Sequence, residues 1–92
     1  MLKIDEARAE VHVDGREVPV THKELQLFVT LKEAGGKVLD RRQLLEKVWG
    51  YGNVGEVDTR TVDQHVCRLR TKFGKYGRHI KTVYLRGYKY AA

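Results

Sequence analysis

The stretch Asp58–Phe73, DTRTVDQHVCRLRTKF, constrains the fold of this chain more than any other. Val62, Val66, Leu69 and Phe73 are spaced i, i+4, i+7 and i+11, which at the helical period stacks them in one apolar stripe. The opposite side carries Arg60, Thr61, Gln64, Arg68 and Thr71, with His65 and Lys72 at one edge. Asp58 stands where an N-cap would accept from the backbone N–H groups of the first turn. A helix over about 59–73 therefore has one face to bury, while the other is built of hydrogen-bond donors. Such a face suits the major groove of DNA. The simpler alternative is a solvated face, and the rest of the chain has to decide between them.

Charge is the first discriminator. From Met1 to Asp58 there are nine Lys/Arg against eleven Asp/Glu, a net −2. From Thr59 to Ala92 there are nine Lys/Arg against the single acid Asp63, a net +8. Positive charge confined to the last third, starting at the two-faced helix, is what a polyanion-binding surface looks like in sequence. At 92 residues the chain can build one core and not two, so residues 1–92 are expected to form a single domain. No apolar run approaches the ~20 residues of a membrane helix, and MLKIDEARAE is too acidic for a signal peptide. A cytoplasmic location is the expectation. The lone Cys67 allows no internal disulfide. His12, His22, His65 and His79 show no metal-ligand spacing, so neither metal nor cofactor is expected. No phosphate-binding loop, nucleophile elbow or metalloprotease helix is present, and the chain is not expected to be an enzyme.

Ahead of the helix, Leu2 and Ile4 alternate with charged residues, and Ala9, Val11 and Val13 alternate with Glu10 and His12. That is the period of half-buried strands. Asp14–Gly15 is a two-residue hairpin signal, and Val18 and Val20 continue the returning strand, with Pro19 marking an edge or an end. Thr21-His22-Lys23-Glu24 is a capping box. It starts a helix carrying Leu25, Phe28, Val29 and Leu31 that stops at Gly35–Gly36. Asp40-Arg41-Arg42-Gln43 is a second capping box, opening a shorter helix with Leu44, Leu45, Val48 and Trp49, closed by Gly50. Gly50–Val57 reads as a loop. After the basic helix, Gly74–Gly77 is a breaker, and Ile80–Tyr90 reads as a hairpin turning near Leu85–Gly87. The class is α+β: an N-terminal antiparallel sheet, three helices and a C-terminal hairpin. Helix–helix–loop–helix–hairpin is the winged helix-turn-helix order, with the last helix in the major groove and the wing, about 80–90, on the backbone or a minor groove.

The residues THKEL (Thr21–Leu25), VLDRRQLLEKVWG (Val38–Gly50), RTVDQHVCRLR (Arg60–Arg70) and TVYLRGY (Thr82–Tyr88) carry a resemblance. The chain resembles the DNA-binding effector domain of OmpR/PhoB-type response regulators of bacterial two-component systems. The resemblance spans essentially all of the chain. It implies a four-stranded N-terminal sheet packed on three helices, head-to-tail pairs on direct repeats of double-stranded DNA, and a cytoplasmic, nucleoid-associated transcription factor. The receiver domain that usually precedes such a domain is absent here, so the chain resembles either an excised effector domain or a stand-alone member. Gly50–Val57 corresponds to the family's RNA polymerase-facing loop.

Arg68 is the leading base reader, since arginine can pair in bidentate fashion with guanine, and Gln64 one turn earlier can read adenine. Thr61, at the helix start, can reach a phosphate or a base edge. Arg60, His65 and Arg70 match positions that resemble phosphate clamps, with a surface ion pair as the alternative for Arg70 and an idle helix flank for His65. Lys72 belongs with the phosphate group. Trp49 reads first as a core anchor; the resemblance adds an indole N–H toward a phosphate. Arg41 and Arg42 can approach the backbone through charge and a helix N-terminus. Thr82 matches a phosphate-contacting wing threonine. Arg86 suits a narrow minor groove, and Tyr88 suits hairpin packing. The chain departs from the family pattern at Cys67, where many members have arginine, and at Tyr84–Leu85, where the wing usually reads arginine-glycine. A winged helix that docks on an acidic protein is the competing reading.

Overall fold

Three strands, three helices and a terminal hairpin follow one another in the computed structural model, which describes residues 1–50 and 57–91. Strands β1 (Leu2–Asp5), β2 (Glu10–Val13) and β3 (Arg16–Val18) form an antiparallel sheet in the order β1-β2-β3. Asp14 (φ 50°) and Gly15 (φ 84°) both lie in the left-handed region, the geometry that lets a two-residue turn follow the strand twist and set Val13 opposite Arg16. Ala9 is not in a strand. It sits at φ 55° in the reversal Glu6–Ala9, where its N–H donates to the Glu6 carbonyl and brings Asp5 opposite Glu10. Val20 also lies outside the sheet, because Pro19 has no N–H to extend β3. Among the described residues the sheet has three strands, not the four that the resemblance implied.

Both capping boxes form. In α1 (His22–Glu33) the Thr21 side chain accepts from the Glu24 N–H and Glu24 accepts from the Thr21 N–H. In α2 (Arg41–Trp49) Asp40 and Gln43 do the same. Helix α3 (Arg60–Phe73) starts with Thr59 in the cap position, whose side chain makes no cap bond. Asp58, one residue earlier, still accepts from the Arg60 N–H at 2.8 Å. The stripe Val62, Val66, Leu69 and Phe73 is buried along its whole length against Leu25, Phe28 and Leu45. Phe28 meets the Phe73 ring edge-on at 4.9 Å and Tyr90 at 5.6 Å, which gathers α1, α3 and the hairpin on one aromatic centre.

The glycine breaker after α3 is a 3-10 helix, Gly74–His79. It holds Gly77 so close to α3 that an added Cβ would lie 2.4 Å from the Arg70 carbonyl oxygen. Strands β4 (Ile80–Val83) and β5 (Gly87–Tyr90) then form the hairpin. Tyr88 exchanges two 2.9 Å backbone hydrogen bonds with Leu39, so the hairpin is bridged to the segment entering α2. At Gly87 (φ 134°) a Cβ would stand 2.2 Å from the Leu39 oxygen, and only glycine permits that approach.

Candidate nucleic-acid interface

The apolar stripe of α3 fixes which side of the helix faces out. Gln64, Cys67, Arg68 and Thr71 are exposed and Thr61 is half-buried, so the donor-rich face read from the sequence is the open one. Among the described residues Arg68 has no hydrogen-bond or ion-pair partner. Cys67 lies on the same exposed side, so packing does not explain it. Arg60 is exposed at the helix start, where its Nη2 and Nε both donate to Oδ2 of the Asp58 carboxylate (2.8 and 3.1 Å). That cation holds the Asp58 carboxyl below its usual range.

Other predicted contact residues are engaged inside the domain. Arg70 does not point outward. Its Nε and Nη2 donate to the Ile80 carbonyl at 3.1 and 2.7 Å, and Nη2 donates to the Thr82 hydroxyl at 2.8 Å. The last turn of α3 is thereby clamped to β4. Lys72 donates at 2.6 Å to Glu24, whose carboxylate is buried beneath α1. Burial pushes the Glu24 carboxyl up, but the Lys72 ammonium and the Thr21 N–H together leave it below the ordinary value. Its other oxygen, Oε2, is buried with no partner among the described residues. Trp49 packs edge-on against His65 at 4.9 Å and lies under the Lys23 ammonium, and the His65 Nδ1 is 2.8 Å from the Thr61 carbonyl. Trp49 and His65 therefore form a small joint between α2 and α3, with both side chains half-buried.

Asp63, read from the sequence only as the lone acid of a basic segment, is the hub of the face. Its Oδ1 accepts from Arg41 Nε at 2.7 Å and from the Tyr88 hydroxyl. Arg41 and Arg70 both lie over the Tyr88 ring, at 5.6 and 5.7 Å. Burial, with the hydrogen bond to Asp63, raises the Tyr88 phenol above its ordinary value, which keeps the hydroxyl a donor at neutral pH. One carboxylate thus ties α2, α3 and the hairpin together. No local pattern announced it, because its partners stand 22 and 25 residues away. Arg42 is exposed with a loose 3.4 Å contact to Glu46. At the hairpin turn Tyr84, Leu85 and Arg86 are exposed, while Tyr88 is buried as hairpin packing predicts. Residues 51–56 of the loop expected to face RNA polymerase lie outside the described residues.

The sheet also assembles what linear spacing did not show. Glu10, His12 and Glu17 place one potential ligand atom each within 4.8 Å of one another. They lie on β2 and β3, with Lys3 opposite His12 on β1.

Residues 15–90 match the family model described as transcriptional regulatory protein, C terminal. The chain belongs to that family. Its solved neighbours include DNA-binding domains of the OmpR/PhoB response-regulator type, and the chain is an effector domain of that type. Relatives include the transcriptional regulatory protein CseB of Streptomyces coelicolor, 47% identical over 91 residues, and SrrA of Staphylococcus aureus, 43% identical. These matches cover 99% and 97% of this chain but 37% and 38% of the relatives, so the chain spans about two-fifths of their length. The fold is the family's winged helix. It is similar to the DNA-binding domain of Bacillus subtilis CssR, with a TM-score of 0.87 and 30% identity, covering 98% of this chain and 99% of that one. The Klebsiella pneumoniae RstA DNA-binding domain, solved in complex with its RstA box, gives 0.79 and 30%, covering 98% and 90%. Among the described residues no helix is long and apolar enough to cross a membrane.

Proposed function

We propose that residues 1–92 act as one sequence-specific double-stranded DNA-binding domain, with α3 in the major groove and the hairpin as a wing. The observation that carries this reading is the outer face of α3. The apolar stripe buries the other side of the helix completely and leaves Arg68 and Gln64 exposed in a segment of net +8. Arg68 and Gln64 read base edges, and Thr61 meets a base or phosphate at the helix start. Arg60 and Arg42 serve the phosphates, Arg60 by exchanging Asp58 for the DNA backbone, and Arg41 adds charge at the N-terminus of α2. Arg70, Lys72, Trp49 and His65 hold the reading helix in place rather than contact DNA. Thr82 and Arg86 put the wing on the backbone.

In this reading the domain is the DNA-binding effector of a two-component response regulator, cytoplasmic and nucleoid-associated, that regulates transcription. Head-to-tail pairs occupy direct repeats, and the loop Gly50–Val57 faces RNA polymerase. Binding energy comes mainly from counterion release. A gel-shift salt titration against a selected and a random duplex tests the reading. Affinity for both should fall linearly in log–log form as salt rises, with the selected duplex bound tighter throughout. Binding to neither duplex would leave the face as a protein-docking surface.

A further inference from the structure

Among the described residues the least protected apolar side chains are at the tip of the wing. Tyr84 is 84% exposed and Leu85 is 83% exposed, side by side in the turn between β4 and β5. The Arg86 N–H donates to the Val83 carbonyl at 2.9 Å, which closes a four-residue turn around them. Leu85 holds φ 61°, a left-handed conformation that a leucine side chain disfavours and that glycine or asparagine would adopt readily. The chain therefore keeps a bulky apolar group where the fold alone would favour a small or polar one.

Charge around the tip specifies the occupant. Lys81 and Lys89 are directly opposite cross-strand partners, a pairing that repels unless something anionic lies between or beside them. Arg86 is exposed next to the tip, and beyond Asp63 the chain has no acid at all. An apolar point flanked by cations fits a ligand with an apolar floor and anionic walls. A DNA minor groove, about 6 Å wide, is too narrow for a two-stranded ribbon and admits only side chains at its tip. We propose that Tyr84 and Leu85 form an apolar wedge that enters the minor groove beside the α3 site and partly unstacks a base step, while Lys81, Arg86 and Lys89 take the flanking phosphates. This inference rests on the DNA-binding reading above. A flexible pyrimidine–purine step is the easiest to open and is where the wedge acts.

The test uses the domain and a duplex selected from a random pool, with 2-aminopurine moved base by base through the flank. Binding of the unaltered domain should raise fluorescence at one or two adjacent positions. The double variant Tyr84→Ala, Leu85→Gly should abolish that rise and weaken binding roughly tenfold, as loss of base stacking does, with the salt slope unchanged. Arg86→Ala should keep the rise and lower the salt slope by about one. Leu85→Gly alone should raise the thermal midpoint, which separates a lost contact from a lost fold. Salt-dependent binding with no fluorescence change, and a double variant that binds like the parent, would overturn the wedge and leave the DNA-binding reading standing. Lost self-association in sedimentation, with single-site binding intact, would reassign the tip to a second copy of the chain. No DNA binding by the unaltered domain would sink both readings.

Discussion

The recognition helix and the wing are held in place by opposite means. Helix α3 rests mainly on a continuous apolar stripe, four side chains sunk in the core of α1 and α2, to which the Lys72–Glu24 pair adds a polar anchor. The wing puts only Ile80 and Tyr88 fully into that core. Its position comes from directional contacts: the Leu39 backbone bridge, the Arg70 clamp, and the Asp63 carboxylate shared by Arg41 and Tyr88. Apolar burial tolerates small errors of angle, whereas a shared carboxylate does not. The helix is thus the stable platform, and the wing is the part whose angle a single polar substitution can change.

The largest expected effect is at the helix. Leu69→Ala should cost about 2–5 kcal/mol, the range for a fully buried leucine, and should lower the whole unfolding transition monitored by circular dichroism. A loss confined to the wing would mean that α3 is not the platform.

Lys72→Met comes next. It leaves the buried Glu24 carboxylate without its cation and should cost on the order of 2–4 kcal/mol at neutral pH. The pH dependence gives the sign. In the parent, Glu24 titrates below its ordinary value of 4.5, so its contribution is present above about that pH and is lost as pH falls through the folded value. In Lys72→Met the charged carboxylate is a burden, so acidification should narrow the gap to the parent. Thermal melts of both proteins from neutral to acidic pH check this; a gap that widens on acidification would refute the pairing.

Asp63→Asn should loosen the wing and leave α3 seated. The neutral amide oxygen lacks the charge that strengthens both bonds to Oδ1, and the expected cost is about 1–3 kcal/mol. Amide exchange should speed up in β4 and β5 before it does in the buried turns of α3. Uniform acceleration across both would show that the hub does not act on the wing in particular.

The same contrast explains what could be read from the chain. The stripe of α3, both capping boxes and the Asp14–Gly15 turn are local patterns, and each appears where its spacing put it. Strand ends were less legible, because Ala9 in a turn and Val20 beyond the sheet continue the strand alternation that the backbone abandons. For the interface, the open face of α3 followed from period alone. The fates of Arg70 and Lys72 did not. A helical wheel places them at the flank, but whether a flank cation meets DNA or a buried partner depends on residues such as Ile80 and Glu24, the latter 48 positions away. Asp63 escaped for the same reason.

Whether the outer face of α3 reads DNA sequence is settled by Arg68→Ala. Affinities for a selected and a random duplex should be measured at one fixed salt concentration. The expected loss is about 1–3 kcal/mol on the selected duplex and much smaller on the random one. Equal losses on the two duplexes would contradict it, reducing Arg68 to one more charge against the backbone.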